Sequence, residues 1–412
     1  MQKRLAIVTH GFLPVPAIKG GAVEALVTEI VEQNETFKKY IIDLYTVYDK
    51  DLQKFDYKYT NIISLKQNKY KTILCKVVNK LCQILHISIH LNEFGSQAAR
   101  KICHEKYDYI LVENNMYIYK KVLKNYNYNC KRIFHLHNDV GNIDKPKRLC
   151  QYIGQNADLV LTVSEYLKNH FMQLAEAKNI KVYYNCIDIE KYNSNIVMDK
   201  CEYVNKNDFV FMYVGRISRE KGLLELIKAF KRVSNKYSKA KLLVIGDIWY
   251  GSKKKSHYLD RVYAEVASIK DKVIFLGSKP SSEMPRYFSM ADCVVVPTTC
   301  QEAFGMVAAE AMASHKALIV AKSGGLPEVV DDSCAFVVPL DNLIDGMAEK
   351  MCTMLEKKNL AKEMGRAAYK RITMKKDFQS KYYYNKLNTF LEELKWEQKS
   401  QFVMQLYLWL WT

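Results

Sequence analysis

Two carboxylates and two cations carry the chemistry open to this sequence. Glu302 and Glu310 have seven residues between them. The apolar run Val294 to Val296, ending at Pro297, predicts a buried parallel strand. Thr298 to Gln301 follows as a polar loop ending in Glu302, and Gly305 opens an Ala- and Met-rich helix that holds Glu310. On one continuous helix the two carboxylates would be offset by ~80°. The loop frees Glu302 to reach a ligand lying across the helix start. Unpaired amides and the positive dipole end there suit a phosphate, and a neighbouring carboxylate can accept hydrogen bonds from sugar hydroxyls. The plainer alternative is an acidic residue complementing the helix dipole beside a solvated helix Glu.

The cations sit on a second strand–turn–helix unit. Phe209 to Val214 predicts a strand and Leu223 to Val233 a helix. The turn between them, Gly215-Arg216-Ile-Ser-Arg-Glu-Lys221-Gly222, is bounded by glycines. Arg216 offers a planar fork for phosphate oxygens and Lys221 a point charge. A solvated basic turn is the competing reading.

The elements that must position these groups follow one plan. Leu5 to Thr9 predicts a strand. A loop with Gly20 and Gly21 comes next, then a helix with Val23, Leu26, Val27 and Ile30 on one face. The paired glycines let backbone approach a ligand, or simply turn the chain. Tyr109 to Val112, Arg132 to Leu136, Leu159 to Val163 and Val182 to Tyr184 predict further strands, and Ser164 caps a helix from Glu165 to Leu174. His135 and His137 share one face at the end of a strand, where sheets of this kind bind ligands. Later, Leu242 to Gly246, Val273 to Leu276 and Ala317 to Ala321 predict strands, the second ending in Gly277-Ser278. Alternating strands and helices predict an α/β protein of two doubly wound, Rossmann-like domains facing one cleft. A chain of 412 residues is in any case too long for one core.

The stretch Glu302-Ala-Phe-Gly-Met-Val-Ala-Ala-Glu310-Ala resembles the E-x7-E motif of the retaining glycosyltransferases of family GT4, which have the GT-B fold. Gly-Arg-x4-Lys-Gly at 215–222 and Gly-Gly-x-Pro-Glu at 324–328 match the same family's wording. Asn185-Cys186-Ile-Asp188 departs from it, because Cys186 stands where Gly is usual. The resemblance covers roughly residues 1–395 and implies a nucleoside-diphosphate-sugar donor, no cofactor and no metal. It implies catalytic roles for Glu302, His137 (with His135 as fallback), Arg216 and Lys221. Donor contacts are implied at Gly20, Gly21, Gly215, Gly277, Ser278, Phe304, Gly305, Met306, Val307 and Glu310. The implied domains are 1–188 on the acceptor side, 189–376 for the nucleotide sugar, and 377–412 as a helix returning to the first domain plus an apolar tail. A polar linker is expected at 190–207. Asp331-Asp332 reads as a solvated turn, and no Asp-x-Asp pair stands out.

The formal net charge is +18, which favours an anionic partner: a membrane face, a phosphorylated substrate or nucleic acid. Basic residues are not interleaved with aromatics in a nucleic-acid pattern, so nucleic acid is not the expected partner. An epimerase or phosphorylase on the same fold, and a non-catalytic nucleic-acid-binding module or membrane scaffold, are the alternative functions. Eleven Cys without a C-x-x-C pair argue for reduced thiols in a cytoplasmic setting. The chain enters a strand at once, so no signal peptide is expected, and no window reaches the ~18–20 apolar residues of a membrane span. Residues 57–92 hold six lysines and no Asp or Glu. Within them Leu74, Val77, Val78, Leu81, Ile84 and Leu85 recur at helical steps. Two readings stay open: a helix lying on an anionic membrane at the inner face of the cell, or a core-facing helix with lysines outward. The acceptor is expected to be a saccharide or a lipid-linked saccharide.

Overall fold

The computed structural model describes residues 2–85, 90–124, 126–142, 146–193, 203–247, 257–357 and 359–394. Short apolar runs, covered by helices on both faces, become parallel strands. The first seven are β1 (Lys3–Val8), β2 (Tyr40–Val47), β3 (Thr60–Leu65), β4 (Tyr109–Glu113), β5 (Lys131–Leu136), β6 (Leu159–Thr162) and β7 (Ile180–Val182). They form one sheet in the order β3-β2-β1-β4-β5-β6-β7. The next six are β8 (Phe209–Val214), β9 (Ala240–Ile245), β10 (Val273–Gly277), β11 (Cys293–Val296), β12 (Ala317–Ala321) and β13 (Ala335–Val338). Their order is β10-β9-β8-β11-β12-β13. This is the two-sheet GT-B architecture.

Each order reverses once, between β1 and β4 in the first sheet and between β8 and β11 in the second. Crevices at the carboxyl ends of such strands are where open α/β sheets bind ligands. The loops leaving these four strands carry Gly20 and Gly21, Asn114, the 215–222 turn, and Glu302. Topology alone therefore gathers most of the candidate residues.

Two apolar contacts are prominent among those that join the halves. One apolar cluster runs from Phe134 and Leu136 through Leu167 and Ile187 to Phe304, Val320 and Phe378. The last described helix, Ser380–Glu392, returns to the first sheet. It begins three residues after Asp377, which lies in a short 3-10 turn. Its Tyr383, Tyr384, Leu387 and Leu391 are buried with Leu5, Ile7 and Tyr109. The Tyr384 hydroxyl donates to Asn34 Oδ1 at 2.6 Å. Tyr183 and Tyr383 stack at 4.1 Å between centroids.

Three expectations need adjustment. Cys186, where Gly was expected, is buried against this returning helix. Asp188 caps the short turn Ile189–Tyr192, so the start of the expected linker is ordered. Asp331 is no bare solvated turn, because Arg371 Nη1 binds it at 2.6 Å. The rest of the linker, residues 194–202, and the apolar tail 401–412 lie outside the described residues. Among the described residues, no helix is long and apolar enough to cross a membrane.

Candidate active site

The basic turn and the Glu302 loop are stitched together. Gly215, Tyr213 and Gly222 shape the turn: the Tyr213 hydroxyl donates to Arg216 O at 2.6 Å. Gly222 has φ 71°, and a Cβ there would meet Pro297 O at 1.9 Å. No other residue type allows this approach without moving backbone. Thr299 N then donates to Glu220 O at 2.9 Å, and Thr299 Oγ1 donates to Arg219 O at 2.9 Å. The result brings Lys221 Nζ to 2.6 Å from Glu302 Oε2. Thr298 Oγ1 donates to the same oxygen at 3.3 Å. Arg216 is exposed on the same turn.

The 324–328 loop holds Glu302 from behind. Gly325 N donates to Glu302 O at 2.7 Å, and Gly324 N donates to Gln301 Oε1 at 2.8 Å. Gly324 has φ 51°, and its added Cβ would lie 2.1 Å from Glu302 O. The loop also reaches the first domain. Glu328 accepts from Glu165 N at 2.8 Å and Tyr166 N at 2.7 Å, capping the Glu165–Leu174 helix with a charge. Arg371 fixes this loop by donating to Val329 O, Asp331 Oδ2 and Glu328 O.

Glu310 lies on the Met306–Ala313 helix, which Gly305 starts with φ 110°. Burial pushes its carboxyl up to about 7, against an opposing hydrogen bond from Tyr192 and the charge of Lys191. Tyr192 belongs to the connection between domains, so Glu310 sits at the seam. Phe304 is buried in an aromatic cluster with Tyr184 and Phe378; it props the loop and does not line open space. Met306 and Val307 are half-buried beside it, whereas Gly277 and Ser278 are exposed at the end of β10.

His137 follows β5 and is buried. Its Nε2 lies 2.7 Å from Glu113 Oε2, and His135 Nδ1 lies 3.0 Å from the same oxygen. Burial lowers the basicity of His137, and the neighbouring His135 lowers it further. Burial alone would raise Glu113, but the two histidines outweigh it and hold the carboxyl below its usual range. A neutral His137 then donates through Nε2, leaving Nδ1 as a buried acceptor without a partner. Glu113, His135 and His137 are the His/Cys/Asp/Glu group found close enough to hold a metal among the described residues. The carboxylate bridging two imidazoles already accounts for their proximity.

Sequence reasoning missed Glu113, because its partners are 22 and 24 residues away on the next strand. It also missed His10 and Glu24, 2.8 Å apart below Gly21. Gly21 has φ 101°, and a Cβ would meet Glu24 Oε2 at 2.1 Å. The acidic residue three places after the glycine pair was the available signal.

With this geometry in view, comparison with known proteins is decisive for the second half. Residues 199–371 match the family model of the group 1 glycosyl transferases. The match falls within the second domain, which is similar to that of the group 1 glycosyl transferases. A Salmonella typhimurium lipopolysaccharide 1,2-N-acetylglucosaminetransferase is 31% identical over 236 residues, 56% of this chain and 59% of that protein. The putative glycosyltransferase YtcC of Bacillus subtilis is 25% identical over 342 residues, 79% of this chain and 77% of that one. Anabaena HepE, solved in complex with UDP and glucose, superposes with TM-score 0.68 at 18% identity, covering 95% of this chain and all of that one. At that identity the likeness concerns the GT-B fold.

Proposed function

We propose that this protein is a retaining glycosyltransferase. It moves a sugar from a nucleoside-diphosphate-sugar to an acceptor hydroxyl in the synthesis of surface polysaccharide or glycolipid. The observation that carries the reading is the Lys221–Glu302 contact at 2.6 Å, on a turn that also bears Arg216 and opens a helix. Related proteins named for lipopolysaccharide and capsular polysaccharide synthesis support the substrate class. Glu302 is paired with Lys221. A diphosphate would compete for Lys221, leaving Glu302 to accept hydrogen bonds from the sugar. Glu310 is assigned to the ribose and His137 to the sugar from the other domain.

As the C1–O bond breaks, charge grows on the leaving diphosphate. Arg216, Lys221 and the start of the Leu223–Lys236 helix stabilise it electrostatically, so no metal is required in this reading. The acceptor oxygen bonds C1 from the same face, and its proton passes to the departing phosphate oxygen. The assay is release of nucleoside diphosphate from a panel of sugar nucleotides, with and without exhaustive chelation. Arg216→Ala and Lys221→Ala are expected to weaken donor use about 10- to 150-fold, the loss of one charge-assisted contact at ~1.5–3 kcal/mol. Release by neither wild type nor variants, or activity restored only by a divalent cation, overturns the proposal in its reaction or in its metal independence.

A further inference from the structure

The helix Lys69–Ile84 is inverted relative to an ordinary surface helix. Its inward side is narrow and mixed: Cys82 is its one buried residue, Cys75 and Val78 are half-buried, and Thr72 and Asn79 make polar contacts. Asn79 makes two hydrogen bonds with the Leu91 backbone, at 2.8 and 2.7 Å. Thr72 Oγ1 donates to Glu93 Oε2 at 2.8 Å, and Glu93 Oε1 accepts from Asn68 N at 2.9 Å. The outward side is apolar. Tyr70, Ile73, Leu74, Val77, Leu81 and Ile84 are between 49% and 82% exposed. At 3.6 residues per turn they fall within an arc of about 100°. Lys69, Lys76 and Lys80 border one side of that arc and Lys71 the other.

We propose that this face docks on an anionic lipid bilayer. An apolar stripe flanked by lysines matches an acyl boundary overlain by negatively charged headgroups, with lysine stems reaching up to them. A second copy of the face would bring eight such lysines together, so charge disfavours self-association. The uncharged tail 401–412 offers nothing to the lysines.

Docking also orients the cleft. Gln67 Nε2, just before the helix, donates to Gly11 O at 3.3 Å. Gly11 belongs to the loop after β1 that leads to Gly20 and Gly21, and the adjacent Phe12 is 77% exposed. A bilayer under the helix therefore lies beside the acceptor side of the cleft. This deepens the proposed function by making the acceptor a lipid-linked one, but the binding itself does not depend on that reaction.

The test is co-sedimentation of the full chain with vesicles of phosphatidylcholine alone and with about one quarter phosphatidylglycerol, without donor or acceptor. Wild type is expected on anionic vesicles only. Each lysine near an anionic surface is worth roughly fivefold. Reversing Lys69, Lys71, Lys76 and Lys80 to Glu should cut partitioning at least about a hundredfold. Leu74→Ser with Leu81→Ser should leave binding that modest salt abolishes. All six positions are on the outward side, so thermal melts should match wild type. No wild-type binding at low salt, or equal partitioning of wild type and both variants, overturns the proposal. So does binding lost only on removing residues 396–412, or a dimer that the Leu74→Ser/Leu81→Ser variant dissolves. Because binding is read without turnover, failure here is separate from failure of the transferase assay.

Discussion

At the scale of single residues, the two glutamates of the site differ in surroundings, and that difference predicts different failures. Glu302 is paired with Lys221. On the proposed reading, replacing it with Gln gives up the charged acceptor assigned to the sugar and releases the lysine for phosphate. Turnover should fall while the donor KM stays level or drops. Around Glu310 burial outweighs the Tyr192 hydrogen bond and the charge of Lys191, and its acid is pushed up to about 7. Donor binding that uses its carboxylate should therefore strengthen as pH rises through about 7, and Glu310→Gln should abolish that dependence while raising KM. Identical kinetic profiles for the two variants would remove the separate roles. Stability runs the other way. A folded-state value raised above the unfolded 4.5 means stability is fully present below about 4.5 and is lost as pH rises through about 7. Glu310→Gln mimics the protonated acid. Its melting temperature should exceed wild type at about pH 8.5 and match it near pH 4, a difference on the order of 1–2 kcal/mol after allowing for the group's remaining solvent contact.

Among the elements, the Ser323–Val329 segment reaches furthest. It supports Glu302 through Gly324 and Gly325, and its Glu328 caps the Glu165–Leu174 helix of the other domain. Glu328→Gln weakens two charge-assisted bonds to backbone amides, at roughly 1.5–3 kcal/mol for the full loss of such contacts. The cleft should open more readily. Small-angle scattering of the unliganded variant should show a larger radius of gyration, with donor KM raised and the second domain's melting unchanged; an unaltered scattering curve would show that the clamp does not set the angle. This contact was not legible in the sequence, since its partners are some 160 residues apart. The strand–turn–helix units at 209–236 and 293–313 were legible, because unbroken apolar runs stop at Gly or Pro. Tyr40–Val47 was not. Asp43, Tyr45 and Thr46 interrupt its apolar run, and the buried Asp43 is met by Arg4, Tyr107 and Asn61 at 2.6, 2.7 and 3.2 Å. For the Lys69–Ile84 helix the periodicity showed a stripe but not its direction. Polar partners at Leu91 and Glu93, outside the helix, turned the stripe outward.

For the whole molecule, the returning helix makes the end of the chain part of the first domain's core. Leu387 is 1% exposed and packs with Leu5, Ile7 and Tyr109, residues from the opposite end of the sequence and the middle of the first domain. The second domain has its own core around Phe211, Leu226 and Val295, in which the helix takes no part. Leu387→Ala should therefore cost about 2–5 kcal/mol, the range for a large-to-small change in a packed core. That cost should fall on the first sheet. Hydrogen exchange of the variant is expected to quicken in β1, β2 and β4, with β8, β9 and β11 unchanged. Uniform quickening across both sheets would mean that the two domains unfold as one cooperative unit. The shared cluster through Ile187 and Phe304 would then be strong enough to couple them, and opening of the cleft would have to proceed by bending at the 185–188 connection while both cores stay intact.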